Sequence, residues 1–193
     1  MSSILGIWQS GGWVMVPLFL LAALLYGQAF QLAMFVRRTN LAEANETLWW
    51  DWVRKPEAAE GRVGEIIEYT QSDVHSAKQV RNRFDEVRNA LVGSLDRRTR
   101  FVGTLVAAAP LLGLLGTVLG MLQTFYGIAT SGGTETAGVV ASGISEALVT
   151  TQTGLTIALP GLFVVMLIQR KRHAIEAQLA RLESMTLTSL RFE

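Results

Sequence analysis

Five side chains able to handle a cation stand in two stretches that are otherwise apolar. In GISEALVTTQTG, residues 143–154, one carboxylate, Glu146, is followed by Thr150, Thr151 and Thr153, with Gln152 among them. The fifth, Thr117, lies upstream in PLLGLLGTVLGMLQTF, residues 110–125. A hydroxyl both donates and accepts hydrogen bonds, so a row of them holds ordered water. A carboxylate is costly to leave against lipid and belongs in a protein interior or a wet cavity. The chemistry such a set offers is passage of a cation, with the proton as the coupling ion and sodium as the alternative. The plainer reading is that Glu146 bridges neighbouring helices while the threonines bond to their own helix backbone. One carboxylate per chain with no intramembrane base is too little for a pump, so a second component is expected.

Other chemistries find no support. There is no cysteine, hence no disulfide, thiol catalysis or Cys metal site. His75 and His173 fall in charged stretches with no second ligand at metal spacing. No nucleophile stands with a base and no catalytic pair is present, so the chain is not read as an enzyme and no cofactor is expected. No nucleic-acid partner is expected either.

The elements that must position these residues follow from the distribution of charge. Half the residues are hydrophobic and the formal net charge is only +1. No charged residue occurs from Met1 to Val36 or from Phe101 to Thr134, and from Thr136 to Gln169 the only one is Glu146. Each window exceeds the roughly 20 apolar residues that cross a bilayer core, which gives three transmembrane helices. All 17 Lys and Arg fall either between Arg37 and Arg100 or from Arg170 onward. The positive-inside rule then sets an N-out, C-in topology, with Trp8, Trp13 and Tyr126 near the outer interface. With no basic n-region before it, the first span reads as a retained anchor.

The expected organisation is a first span within 1–36, a cytoplasmic helical region over 37–100, a second span over 101–130, and an outer loop over 131–136. A third span over 137–169 and a cytoplasmic C-terminal helix over 170–193 complete it. Pro56 breaks the segment after the first span, and Trp49, Trp50 and Trp52 there are read as packing in a small bundle, with an aromatic foot on the membrane as the alternative. From Asp73, Val80, Phe84, Val87, Leu91 and Leu95 recur at steps of three and four, and Ile175, Leu179, Leu182 and Met185 form a matching stripe after the third span. No break separates either stripe from its span. The fold class is therefore an all-α membrane protein in which helices two and three extend into the cytoplasm as an antiparallel hairpin, each arm about 90 Å long at 1.5 Å per residue.

Folding that hairpin about Thr134 brings Thr117 and Thr151 to similar depth, and Gln123 and Thr124 towards Ser145 and Glu146. Ser142, Glu146, Thr150 and Thr153, spaced by four, four and three, share one face of the third helix, which Thr151 and Gln152 widen. Gly113, Gly116 and Gly120 permit close approach of the second helix, and Gly154 and Pro160 are assigned to packing on the third.

APLLGLLGTVLGMLQTFYGIA followed by VASGISEALVTTQTGLTIALPG resembles the TolQ/ExbB/MotA family of ion-driven inner-membrane proteins, on its TolQ and ExbB branch. The resemblance covers roughly residues 96–169. It implies a bacterial inner-membrane homo-oligomer, typically a pentamer, around two copies of a single-span ExbD/TolR-type partner that carries the proton-bearing aspartate. It further implies energy transduction to a periplasm-spanning protein of the TonB/TolA kind, with Thr117, Glu146 and Thr151 matching the family's polar positions. TTQTG, with Thr150, Gln152 and Thr153, is more polar than the family's usual ATAIG, which keeps sodium in view. The shortness of the chain argues against a flagellar stator. A passive oligomeric scaffold, whose polar residues only fix helix packing, is the competing reading.

Overall fold

The computed structural model describes residues 11–38, 46–130 and 136–190, and its regular secondary structure is helical throughout. The expected outer loop and Trp8 fall largely or wholly outside the described residues. The helices are α1 (Met15–Arg38), α2 (Glu46–Arg54), α3 (Gly61–Gln71), α4 (Ala77–Thr130) and α5 (Thr136–Ser189), with a 3-10 turn at Pro56–Ala58 between α2 and α3.

Local sequence explains these boundaries. Pro17 sits in the first turn of α1, where its missing N–H breaks no helical bond. Asp73 turns the chain after α3 with φ of 53°, and the Ser76 hydroxyl accepts a bond from the Gln79 amide at 3.3 Å to cap α4. Helix α4 therefore begins at Ala77, four residues after the start of the amphipathic pattern. Once begun, α4 and α5 each continue for 54 residues, through Pro110 and Pro160 respectively.

Contacts divide the chain into two compact units. The first joins α1 up to Phe30 with Arg100–Val165, and the second joins Gln31–Thr99 with the stretch from Met166 onward. Helices α1, α4 and α5 are each long and apolar enough to cross a membrane. Unit 1 exposes Phe19, Leu20, Leu111, Leu122, Phe125, Leu148 and Phe163. Apolar side chains exposed on helices of this length and composition belong against lipid. Trp13 and Tyr126 are also exposed, at 76% and 74%.

Unit 2 buries both predicted stripes. Val80, Phe84, Leu91 and Leu95 of α4 are buried, as are Ile175, Leu179, Leu182 and Met185 of α5. Val87 is half-buried. Antiparallel α4 and α5 are tied across by Arg172, whose Nε and Nη2 donate to Asp96 at 2.8 and 3.1 Å, and by Arg88, which donates to Glu183 at 2.9 Å. The tryptophans divide. Trp49 is buried, Trp52 half-buried and Trp50 exposed, and Gln71 Nε2 donates to the Val53 carbonyl at 3.1 Å, fastening α3 to α2.

Candidate ion-pathway site

In unit 1, α4 and α5 meet along a seam of small residues. A Cβ added to Gly113 would lie 2.9 Å from the Thr150 carbonyl oxygen and 3.1 Å from the Thr151 Cα, and one on Gly120 would lie 2.7 Å from the Gly143 carbonyl oxygen. Gly154 approaches Gly113 and the Ala109 carbonyl in the same way. Gly116 receives the Thr150 side chain, whose Oγ1 would be 2.2 Å from an added Cβ. These are backbone-to-backbone approaches of the kind small residues allow between membrane helices. Pro160 is exposed and stands outside the seam.

The register stays close to equal-rise counting about Thr134. Gly143 meets Thr124, whose Oγ1 would be 1.9 Å from an added Cβ. Thr124 thus lies level with Gly143, two residues before Ser145 and three before Glu146. Thr124 interlocks with Gly143 and Thr150 with Gly116, and equal-rise counting comes within one residue of the first pair and two of the second.

The threonines share one habit. Thr117 Oγ1 donates to the Leu114 carbonyl at 2.7 Å, Thr153 Oγ1 to Val149 at 2.7 Å, and Thr150 Oγ1 to Glu146 and Ala147 at 3.1 and 3.0 Å. Thr124 and Thr156 do likewise, towards Gly120 and Gln152. Thr151 alone among them crosses the seam, donating to the Gly113 carbonyl of α4 at 3.2 Å. A hydroxyl has one proton to give, so each oxygen is left with acceptor capacity only. Thr150 is fully buried, whereas Thr117, Thr151 and Thr153 are half-buried.

Glu146, half-buried, lies against α1, with its carboxylate at Gly12. Thr151 follows five residues later, about 140° around α5. The carboxylate and the Thr151 hydroxyl accordingly flank the seam on different sides. Helix α1 runs alongside α5 on the carboxylate side, with Gly11 near Val149, Leu25 near Gly161, and the Tyr26 hydroxyl donating to the Ile157 carbonyl at 3.0 Å. Further along α4 and α5, Gly103, Ala107, Pro110, Ala158, Leu162 and Val165 line an apolar cavity of about 300 Å³.

Sequence reasoning passed over Gly12, Gly143 and Tyr26. The Gly11–Gly12 pair just ahead of an apolar span was a usable signal for the first. Gly143 could have been paired with Thr124 by distance from the connection. Tyr26 gave none. Among the described residues no group of acidic or histidine side chains could hold a metal ion.

Fold and site together define a polytopic helical membrane protein with polar side chains gathered on a glycine-lined helix pair. The sequence profile of the MotA/TolQ/ExbB proton channel family matches residues 57–181, more than half of the chain. The chain belongs to that family, and its three apolar helices fit the bacterial inner membrane. Its relatives include a putative ExbB-like biopolymer transport protein of Synechocystis sp., 33% identical over 80% of this chain and 66% of that protein. The biopolymer transport protein ExbB of Salmonella typhimurium is 37% identical over 53% of this chain and 42% of its own length. The Tol-Pal system protein TolQ of Haemophilus influenzae is 37% identical over 46% and 38%. The chain thus spans less than two thirds of the length of each of these relatives.

Proposed function

We propose that this chain is the ion-conducting subunit of an ExbB/TolQ-like energy-transducing complex. The observation that carries the reading is the uniform donation of threonine hydroxyls to carbonyl groups. With their protons so committed, Thr117, Thr151 and Thr153 offer oxygen lone pairs, which suit a hydrated proton or sodium ion. Glu146 adds the one negative charge. Topology follows from the basic residues, with the N-terminus outside and unit 2 in the cytoplasm. On this reading about five copies surround a dimeric, single-span ExbD/TolR-type partner that supplies the second acid. The energy passes to a TonB/TolA-like protein for envelope transport or maintenance.

The test is ion flux through the complex reconstituted in vesicles with its single-span partner, driven in turn by a proton and by a sodium gradient. Thr151→Val and Glu146→Gln should each lower proton flux at least tenfold while assembly persists. Flux that survives both substitutions unchanged defeats the reading. The scaffold alternative is favoured by the same-helix bonds of Thr117, Thr150 and Thr153 and by the Thr151 bond to the Gly113 carbonyl across the seam. If that bond is the whole role of Thr151, Thr151→Val lowers thermal stability and leaves transport intact.

A further inference from the structure

The chain enters α1 through Gly11, Gly12, Trp13 and Val14, and Gly12 has φ of +61°. Residues with a Cβ visit that region rarely. A Cβ at Gly12 would in addition lie 1.8 Å from Glu146 Oε1 and 2.5 Å from its Cδ. The carboxylate therefore occupies the volume that a side chain at position 12 would fill. At Gly11 the three atoms nearest an added Cβ belong instead to the flexible Met15 side chain, at 2.4 and 2.6 Å, and to Val149, at 3.2 Å.

The turn that offers this space is itself held in place. Val14, Met15 and Leu18 are buried, and Leu112, Leu119, Val149 and Ile157 pack against them. The bond from Tyr26 to the Ile157 carbonyl fixes α1 to α5 further along.

We propose that Gly12 is a positioning residue for Glu146, its bare left-handed turn forming a seat that keeps the carboxyl on the α1 side of α5. Helix α1 contributes no carboxylate of its own, yet through this seat it decides where the carboxyl of α5 stands. The claim concerns the place of the carboxyl and holds whether or not ions pass it. It is accordingly tested by a readout that does not depend on flux.

In membranes carrying the full chain, Glu146 is labelled with dicyclohexylcarbodiimide, and modification is read by mass spectrometry of the peptide containing position 146. Seated against α1, the carboxyl is shielded and labelling is low. Gly12→Ala should expel it and raise labelling several-fold, while Gly11→Ala leaves it unchanged. Equal labelling in Gly12→Ala and the parent chain overturns the seat. A second measurement separates collision from backbone strain. Gly12→Ala should lower the thermal midpoint, or the amount of chain that accumulates, and the loss should be much smaller in a Glu146→Ala background, where the colliding atoms are gone. A loss of the same size in both backgrounds assigns the effect to φ alone and overturns the proposal.

Discussion

Helices α4 and α5 pack against each other in both units, and they do so by opposite means. In unit 1 the contact is made by what is missing. Gly113, Gly120, Gly143 and Gly154 let carbonyl groups and Cα atoms approach to distances that a Cβ would forbid, and Gly116 makes room for the Thr150 side chain. In unit 2 the same helices bury Phe84, Leu91, Leu95, Leu179 and Leu182 and are laced by Arg88–Glu183 and Arg172–Asp96. The surroundings explain the change. Lipid tails are as apolar as leucine, so membrane helices gain little by burying large side chains and much by close packing. Where water is the alternative, each buried apolar square ångström contributes about 25 cal/mol, and bulk is favoured. One pair of helices thus shows two solutions, switched by the solvent each half meets.

The largest effect expected from this contrast is the loss of bulk in unit 2. Phe84 is fully buried, and Phe84→Ala should cost about 3–5 kcal/mol, the usual range for a phenylalanine deleted from a core. Chemical denaturation followed by tryptophan fluorescence, to which Trp49, buried in the same unit, contributes, reads it. An effect below about 1 kcal/mol, the level of a surface substitution, would mean that unit 2 is not held by its apolar stripe.

A sharper test applies one substitution at two places on α4. Gly93 has nothing within 4 Å of an added Cβ, whereas at Gly120 the Cβ would lie 2.7 Å from the Gly143 carbonyl oxygen and 3.2 Å from the Ala147 amide nitrogen. Gly93→Ala should therefore stabilise by about 0.5–1 kcal/mol through helix propensity. Gly120→Ala gains the same propensity but must push the two helix backbones apart, a net cost of about 1–3 kcal/mol typical of overpacking. Thermal midpoints of the two variants in detergent should move in opposite directions. The same sign at both sites would dissolve the distinction between the halves.

How far this division was legible in the sequence depends on the kind of contact. The three spans could be read because a charge in lipid is costly, so its absence over Phe101–Thr134 is informative by itself. Phe84 and Leu179 could be placed because helical period and burial go together. The seam was only half legible: Gly113, Gly116 and Gly120 announce close approach, but the partner of each depends on interlocking shapes, and Thr124 meets Gly143, one residue from where equal-rise counting about Thr134 puts it. Spacing placed Glu146, Thr150 and Thr153 on one face, and Thr151 beside them. It could not tell that Thr150 is buried against Gly116, or that Thr151 turns to the Gly113 carbonyl. A threonine rotamer is chosen by the acceptor within reach, and a sequence does not reveal which acceptors those are. Gly12 was hidden for a similar reason, since its contact is made with a helix far along the chain.

The smallest effect concerns polar bonds, which also differ between the halves. Threonine hydroxyls satisfy themselves on carbonyl groups in both units, Thr70 and Thr186 of unit 2 included, and pH cannot reach those bonds; unit 2 has a titratable bond besides. In unit 2 the Tyr69 hydroxyl donates to Glu86 Oε2 at 2.5 Å, while Arg83 stacks on the Tyr69 ring at 5.5 Å and caps the Tyr69 and Ser72 carbonyls. The bond to Glu86 raises the Tyr69 pKa above its ordinary 10.0, helped by desolvation and by the Glu86 charge and opposed by Arg83. A raised value in the folded state means that the neutral phenol is the form favoured by folding. Its contribution is complete below the unfolded value and is lost as pH rises through the folded one. Stability should therefore decline on the alkaline side of pH 10, by a small amount because the bond is exposed to water. Tyr69→Phe should remove that share of the decline, and Thr151→Val should leave it untouched. Thermal midpoints across an alkaline series check both, and a slope that Tyr69→Phe does not change assigns the alkaline loss to other groups.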